Sequence, residues 1–239
     1  MSNKFILFFR APTLMILTNN DNFNALFNFK NALLLMTTSY SIPAGDNKVE
    51  LEIKRSKFIT YATNAGNRQE ADAFIKQLKI EHPHANHVCW AYIAGSPDST
   101  ERSMSDDGEP SGTAGMPMLK VLQYSGLGEI VVAVVRYFGG TKLGTGGLQR
   151  AYSDAVVQVL EKLPLVVKVE RCRLTIEYDY SFQGAIARLL ERYAVQAVEA
   201  TYQISVVNSF AVALSDVVAL QSELVDITSG NIVCRRSEA

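Results

Sequence analysis

The chain has no excess of basic residues: 23 Lys and Arg stand against 24 Asp and Glu, for a net charge of −1. It therefore lacks a global positive field that would draw in nucleic acid, and any contact with RNA has to rest on a local patch. Cysteine is scarce. Cys89, Cys172 and Cys234 are odd in number, widely spaced and without a C-x-x-C pair. That pattern gives no disulfide framework, and it points to a reducing cytoplasm with buried, inert thiols. Long apolar runs are missing too. Phe5–Phe9 is interrupted by Arg10 and Pro12, and Leu14–Leu17 ends in the polar Asn19–Asn24 stretch. Neither run can span a bilayer or serve as a signal-peptide core, so no membrane partner is expected. Neither G-x-x-x-x-G-K-[ST], G-x-G-x-x-G nor G-x-S-x-G occurs. Nucleotide hydrolysis, dinucleotide binding and serine-hydrolase chemistry thus have no motif support. No catalytic residue and no cofactor is expected.

What is present is an ordinary globular composition, 48% hydrophobic and 20% charged, with enough apolar material for real cores. Glycine is concentrated: 10 of the 15 lie between Ser105 and Tyr152. Seven of these fall in two loops, each leading into a helix-like segment. Gly112–Gly115 precedes Pro117, a residue suited to a first helical turn. Gly139–Gly147 comes after the apolar strand Ile130–Val135 and precedes a long helical segment. A strand, a glycine-rich loop and a helix start form an anion cradle, because free N–H groups and the helix dipole both favour negative charge.

The first 35 residues differ from the rest, being rich in Phe, Leu and Asn with few charges. Residues 1–35 are expected to be a non-native or disordered leader, with translation starting at Met36. A first domain is expected over 36–164 and a second over 165–239. Within the first, Val49–Ile53 and Phe58–Ala62 read as short strands around the basic turn Lys54-Arg55-Ser56-Lys57. Arg68–Glu81 has helical spacing and stops before Pro83. Val88–Ala94 is a strand, succeeded by a helix near Pro117–Tyr124, a strand at Glu129–Val135 and a helix near Gly147–Leu163. This predicts an α+β layer structure with the helices on one face of the sheet. In the second domain Val166–Tyr178 is strand-like, Phe182–Tyr193 helical, Val195–Tyr202 and Ser205–Leu214 a strand pair, Val217–Ile227 helical and Asn231–Cys234 a last strand. The order β-α-β-β-α-β is that of a ferredoxin-like unit.

Three constellations carry candidate chemistry. All three histidines lie in H-P-H-A-N-H, His82–His87, but Pro83 prevents an i, i+4 pair and no carboxylate or thiol completes a ligand set; a solvated loop with one packed histidine is expected. Asp106, Asp107 and Glu109 surround Gly108 and are candidates for recognition or for holding a metal such as Mg²⁺ through one or two carboxylates plus phosphate oxygens. The alternative is a turn whose side chains satisfy loop N–H groups. Arg136, Lys142 and Arg150, together with Gly139, Gly140, Gly144, Gly146 and Gly147, are the anion- or RNA-binding candidates, with Tyr137, Phe138 and Tyr152 interleaved as stacking surfaces.

The blocks S-D-D-G-E-P-S-G-T-A-G-M-P-M-L and V-R-Y-F-G-G-T-K-L-G-T-G-G-L-Q-R-A-Y resemble the signature of the IMPACT family, in its bacterial YigZ-type branch. The resemblance runs from about Tyr40 to the C-terminus. It implies a first domain with the ribosomal-protein-like β-α fold of the fourth domain of elongation factor G. It also implies a ferredoxin-like second domain similar to that factor's fifth. The module through which eukaryotic members act on translation is absent from this chain, and the family brings no catalytic residues to transfer. Two readings stand. One is a non-catalytic protein that binds RNA, the ribosome or a translation factor. The other is an enzyme or binding protein for a small phosphorylated or acidic ligand held in the glycine-rich cleft.

Overall fold

A computed structural model describes residues 39–237. The expected leader and the start at Met36 lie outside the described residues. The chain divides into two compact units, the first being Ser39–Val169 and the second beginning at Glu170. In the first unit the strands are β1 (Ser39–Pro43), β2 (Asn47–Ile53), β3 (Ser56–Asn64), β4 (His87–Ile93), β5 (Arg102–Ser105), β6 (Ile130–Tyr137) and β7 (Leu165–Val169). Its helices are α1 (Arg68–Glu81), α2 (Gly115–Ser125) and α3 (Thr145–Glu161).

Five of those strands form one antiparallel sheet in the order β2-β3-β6-β4-β5. The central strand β6 reads I-V-V-A-V-V, an unbroken apolar run, and all six of these residues are buried. A strand that alternates apolar and polar needs cover on one face; one that does not alternate needs it on both. The structure supplies both. Val132 and Val134 pack with Met118, Leu122, Leu148, Tyr152 and Val159 from α2 and α3. Val131, Ala133 and Val135 face the other way, toward clusters that include Ala71, Ile75 and Leu78 of α1. The expectation that all helices share one face is thus corrected: α1 covers the opposite side. Its hydrophobic stripe carried the helix signal but not the side of the sheet it would reach.

The division between units lies after Val169 rather than at Pro164. Strand β7, whose sequence reads as continuous with the segment beginning at Arg171, pairs instead with β1 from Ser39↔Val169 to Pro43↔Leu165. Lys168 and Tyr40, one from each strand of this ribbon, both bond the carboxylate of the buried Glu129.

The second unit contains β8 (Arg171–Tyr178), α4 (Gln183–Arg192), β9 (Gln196–Tyr202), β10 (Val206–Ala213), α5 (Val217–Ile227) and β11 (Ile232–Ser237). Its sheet is antiparallel, ordered β11-β8-β10-β9. Leu174, Ile176, Phe210 and Val212 point to Ile186, Leu189, Leu220 and Leu224 of the two helices. Strand β9 is an edge, exposed along its whole length. Its register against β10 shifts between Ser209 and Ala211, where Ala197 takes a left-handed φ of 51°. This is a β-bulge.

Candidate functional site

The acidic turn folds inward. Asp107 and Gly108 both have positive φ, 43° and 88°, and Glu109 N–H donates to the Asp106 carbonyl at 3.0 Å. This sends the three carboxylates to three internal destinations. Asp106 Oδ1 accepts from the N–H groups of Ala114 (2.9 Å) and Gly115 (2.8 Å), and its Oδ2 accepts from Gly112 N–H at 2.8 Å. Burial pushes the Asp106 carboxyl up, but the Gly112, Ala114 and Gly115 amides outweigh it and hold the group below the ordinary aspartate value. The first glycine-rich loop is therefore a filled anion cradle whose anion is its own aspartate. It is not open to a phosphate, and Asp106 does what the alternative reading of the acidic motif has it do, satisfying loop N–H groups.

Asp107 divides its carboxylate between Val88 N–H (2.7 Å) and Lys79 Nζ (2.6 Å). Its carbonyl meets His87 Nδ1 at 2.9 Å. Glu109, 8% exposed, has one carboxylate oxygen that accepts from both Arg136 Nη1 (2.5 Å) and the Tyr152 hydroxyl (2.8 Å). Arg136 is 5% exposed and lies between the rings of Phe58 and Phe138, its guanidinium carbon 5.3 and 5.7 Å from their centres. Its Nη2 reaches Ser56 Oγ at 3.4 Å, and its Nε has no partner among the described residues. Arg136 is thus not a surface cation for phosphate. A buried guanidinium needs a carboxylate, and the acidic motif supplies it.

Cys89 completes this interior network, its thiol donating to the Asp106 carbonyl at 3.0 Å with the Tyr152 hydroxyl 3.3 Å away. Burial pushes the Cys89 thiol up to about 12, and the same cause drives the Tyr152 hydroxyl far above its ordinary range. Both stay protonated at neutral pH. Neither is a nucleophile or base.

Two histidines are packed where one was expected. His82 sits between the hydroxyls of Tyr61 (2.8 Å) and Tyr137 (2.9 Å), His87 lies against Asp107 and Glu109, and only His84 is solvent-exposed. Among the described residues no three His, Cys, Asp or Glu side chains converge as a metal set.

The second glycine-rich loop is the opposite case. Gly139 N–H is held by Ser56 Oγ at 3.2 Å, and Phe138 N–H by the Asn86 side chain at 2.8 Å. An added Cβ at Gly139 would overlap the Arg55 carbonyl group. Only glycine permits this approach. Gly144, at φ 78°, is the N-cap of α3 and offers no side-chain cap. The amides of Thr145, Gly146 and Gly147 have no acceptor among the described residues, and all three residues are exposed. Gly140 and Lys142 are exposed as well, and Arg150, its side chain 83% exposed, makes only an i,i+4 contact with Asp154 at 3.6 Å. Of the three cations expected to share this site, the loop presents Lys142 and Arg150.

Sequence reasoning missed two others. The hairpin between β2 and β3 turns on Lys54 and Arg55, both exposed and both with positive φ (47° and 66°). The close approach at Gly139 sets the backbone of this tip directly against the glycine loop. The available signal was the basic pair in I-K-R-S-K, legible as a turn but not as a neighbour of residues 84 positions away. The ends of α2 and α3 also meet: Gln149 Nε2 donates to the Gly112 carbonyl at 3.3 Å. Gly112, Lys120, Gly146, Gln149 and Arg150 line a groove of about 560 Å³ between the two helices.

Comparison with known proteins places these features in context. Residues 54–160, from the basic hairpin tip through almost all of α3, match the family described as Impact N-terminal domain. The chain is 42% identical over 200 residues to the protein of Haemophilus influenzae named "IMPACT family member", covering 83% of this chain and 97% of that one. It is 40% identical over 195 residues to "IMPACT family member YigZ" of Escherichia coli, covering 81% and 96%. To "Protein IMPACT homolog" of Saccharomyces cerevisiae it is 29% identical over 104 residues, 42% of this chain and 40% of that one. A crystal structure described as that of a hypothetical protein superposes with a TM-score of 0.61 at 39% identity, covering 82% of this chain and 96% of the other.

Proposed function

The chain belongs to the IMPACT family, and from that premise we propose that it is a non-catalytic accessory protein of translation. It holds RNA, on the ribosome or on a ribosome-associated partner, at the glycine-rich loop Phe138–Gly147. In this reading the first unit has the ribosomal-protein-like arrangement of the fourth domain of elongation factor G. The second is ferredoxin-like, as in that factor's fifth domain, a reading its sheet order supports. The protein works in the cytoplasm without a membrane partner. No helix among the described residues is long and apolar enough to cross a membrane.

The observation that carries the proposal is the contrast between the two loops. One helix start, that of α2, is neutralised by Asp106. The other, that of α3, presents three free amides beside Lys142, Arg150 and the Lys54–Arg55 tip. Free amides at a helix N-terminus with flanking cations favour phosphate, and a backbone-directed contact of this kind carries no sequence preference. Four cations form a small patch, in keeping with a balanced net charge. Binding is then modest and strongly salt-dependent.

The alternative, a small phosphorylated or acidic ligand, is supported by the groove lined by Gly112, Lys120, Gly146 and Arg150. Its acid–base form has lost its candidates, because Asp106, Asp107 and Glu109 all spend their carboxylates on internal partners.

The test is binding of the full chain to ribosomal subunits and to single-stranded RNA across a salt series. We expect K142A/R150A and K54A/R55A each to weaken binding and to reduce the log–log salt slope by about 1.5. Absence of RNA and subunit binding by the unaltered protein at low salt overturns the reading. Small phosphate esters are then the ligands to titrate, with chemical-shift changes at Gly146 and Arg150 as the readout.

A further inference from the structure

Position 208 is where the second unit breaks its own pattern. On β10 the residues facing α4 and α5 are Val206, Asn208, Phe210 and Val212, so an asparagine stands in an otherwise apolar column. It is 8% exposed, and its Nδ2 donates to the Tyr178 hydroxyl at 2.9 Å. Its Oδ1 has no partner among the described residues. A buried amide with an unmet acceptor costs on the order of 1–3 kcal/mol relative to a satisfied one, so leaving it so calls for a reason.

The surroundings supply one. Across the register Asn208 pairs with Ala200 of β9, and that helix-side column of β9, Val198, Ala200 and Tyr202, is exposed. Ala187, Leu190 and Glu191 of helix α4 stand on the other side. The result is a groove of about 430 Å³ whose floor includes Asn208 and Tyr178 and whose walls include Leu190, Val195, Val198 and Ala200. Tyr202, stacked on Tyr180 with ring centres 6.4 Å apart, forms a flat aromatic end. Glu191 carries the one formal charge of the lining.

We propose that this groove binds a small primary amide with a flat apolar body. The ligand N–H fills the Asn208 Oδ1 acceptor. The Tyr178 hydroxyl, which accepts from Asn208 Nδ2, has its own hydrogen left for the ligand carbonyl. Burial holds that hydroxyl protonated, its pKa above the ordinary tyrosine value. The apolar body lies along Ala200 and Leu190 toward Tyr202. The Glu191 carboxylate disfavours anions. This site is independent of the glycine-rich loop and of the proposed contact with RNA.

Benzamide is the probe, titrated into the full chain and followed through the Asn208 side-chain amide signals in nitrogen–proton correlation spectra. Two controls keep its ring and a carbonyl carbon: N,N-dimethylbenzamide, bulkier at nitrogen, has no N–H to give, and benzoate carries a negative charge. We expect saturable shifts with a dissociation constant in the millimolar range or below, as for a ligand of this size, and binding at least about tenfold weaker for both controls. Ala200→Trp, on the exposed wall, is expected to fill the groove and abolish the shifts with the fold intact. Asn208→Leu, followed through the backbone amide signals of Leu190 and Ala200 instead, is expected to leave benzamide no better a ligand than its dimethyl analogue. Equal binding of the three compounds, unchanged binding to A200W, or no shifts at roughly 20 mM benzamide overturns the proposal.

Discussion

Asp106 decides how the two glycine loops differ, and it does so through hydrogen bonds that titrate. Its carboxyl is held below the ordinary aspartate value in the folded protein, so its contribution to stability is complete above about pH 4 and fades as pH falls through its native pKa. Asp106→Asn is expected to cost about 2 kcal/mol at pH 7, and the gap to the unaltered protein should close as urea midpoints are tracked down toward pH 3. Arg136→Ala leaves Glu109 as a buried charge and is expected to cost about 3–5 kcal/mol, whereas R136M/E109L is expected to cost much less; chemical denaturation of both distinguishes a buried pair from a catalytic one. The high pKa of Cys89 predicts slow alkylation in the native state, with the partly exposed Cys234 labelled first in a timed mass-spectrometric experiment. Residue type alone made Asp106 and Arg136 visible as chemistry-bearing positions. Their roles were not legible. An aspartate before a glycine loop reads equally as a ligand or as a cap, and an arginine at a strand end reads as exposed until its carboxylate is known to lie 27 residues upstream in the chain.

Elements with strong local signals were readable, and those defined by distant partners were not. Helices α1 and α5 occupy the residues their periodicity marks, because an apolar stripe, an Asn67 cap and a breaker at Pro83 are all local. The short strands β1 and β5 have no such signal and exist through their pairings with β7 and β4. The same limit explains the missed Lys54–Arg55 tip, whose place beside the glycine loop is fixed by the β3–β6 ladder and by Gly139. Because that approach is backbone to backbone, Gly139→Ala cannot be absorbed by a side-chain turn. It is expected to lower stability by several kcal/mol, about 3 or more, and to separate the tip from the loop. Amide exchange at Phe138–Gly140, compared with the unaltered protein, reads both effects.

At the scale of the whole molecule, the composition promised enough apolar material for real cores, and the described residues bury it on both faces of the first unit's five-stranded sheet and on the helix side of the second unit's sheet. What composition and pattern could not place was β7, whose L-V-V-K-V reads the same whichever unit claims it. Its pairing with β1 predicts that a fragment of residues 39–169 melts cooperatively at a higher temperature than one ending at Pro164, which strips β1 of its partner.

The bulge at Ala197 has a consequence for how the protein behaves in a crowded solution. An exposed edge strand is a template on which a second molecule can lay its own backbone, and regular ladders grow that way into fibres. One extra residue in a left-handed conformation spoils the template near its start, since an incoming straight strand meets amides there out of step with its carbonyls. Removing Ala197 would restore the spacing, and the shortened protein is expected to scatter light and bind amyloid dyes at concentrations where the natural chain stays clear. On that expectation a single irregular residue serves as a guard against self-association.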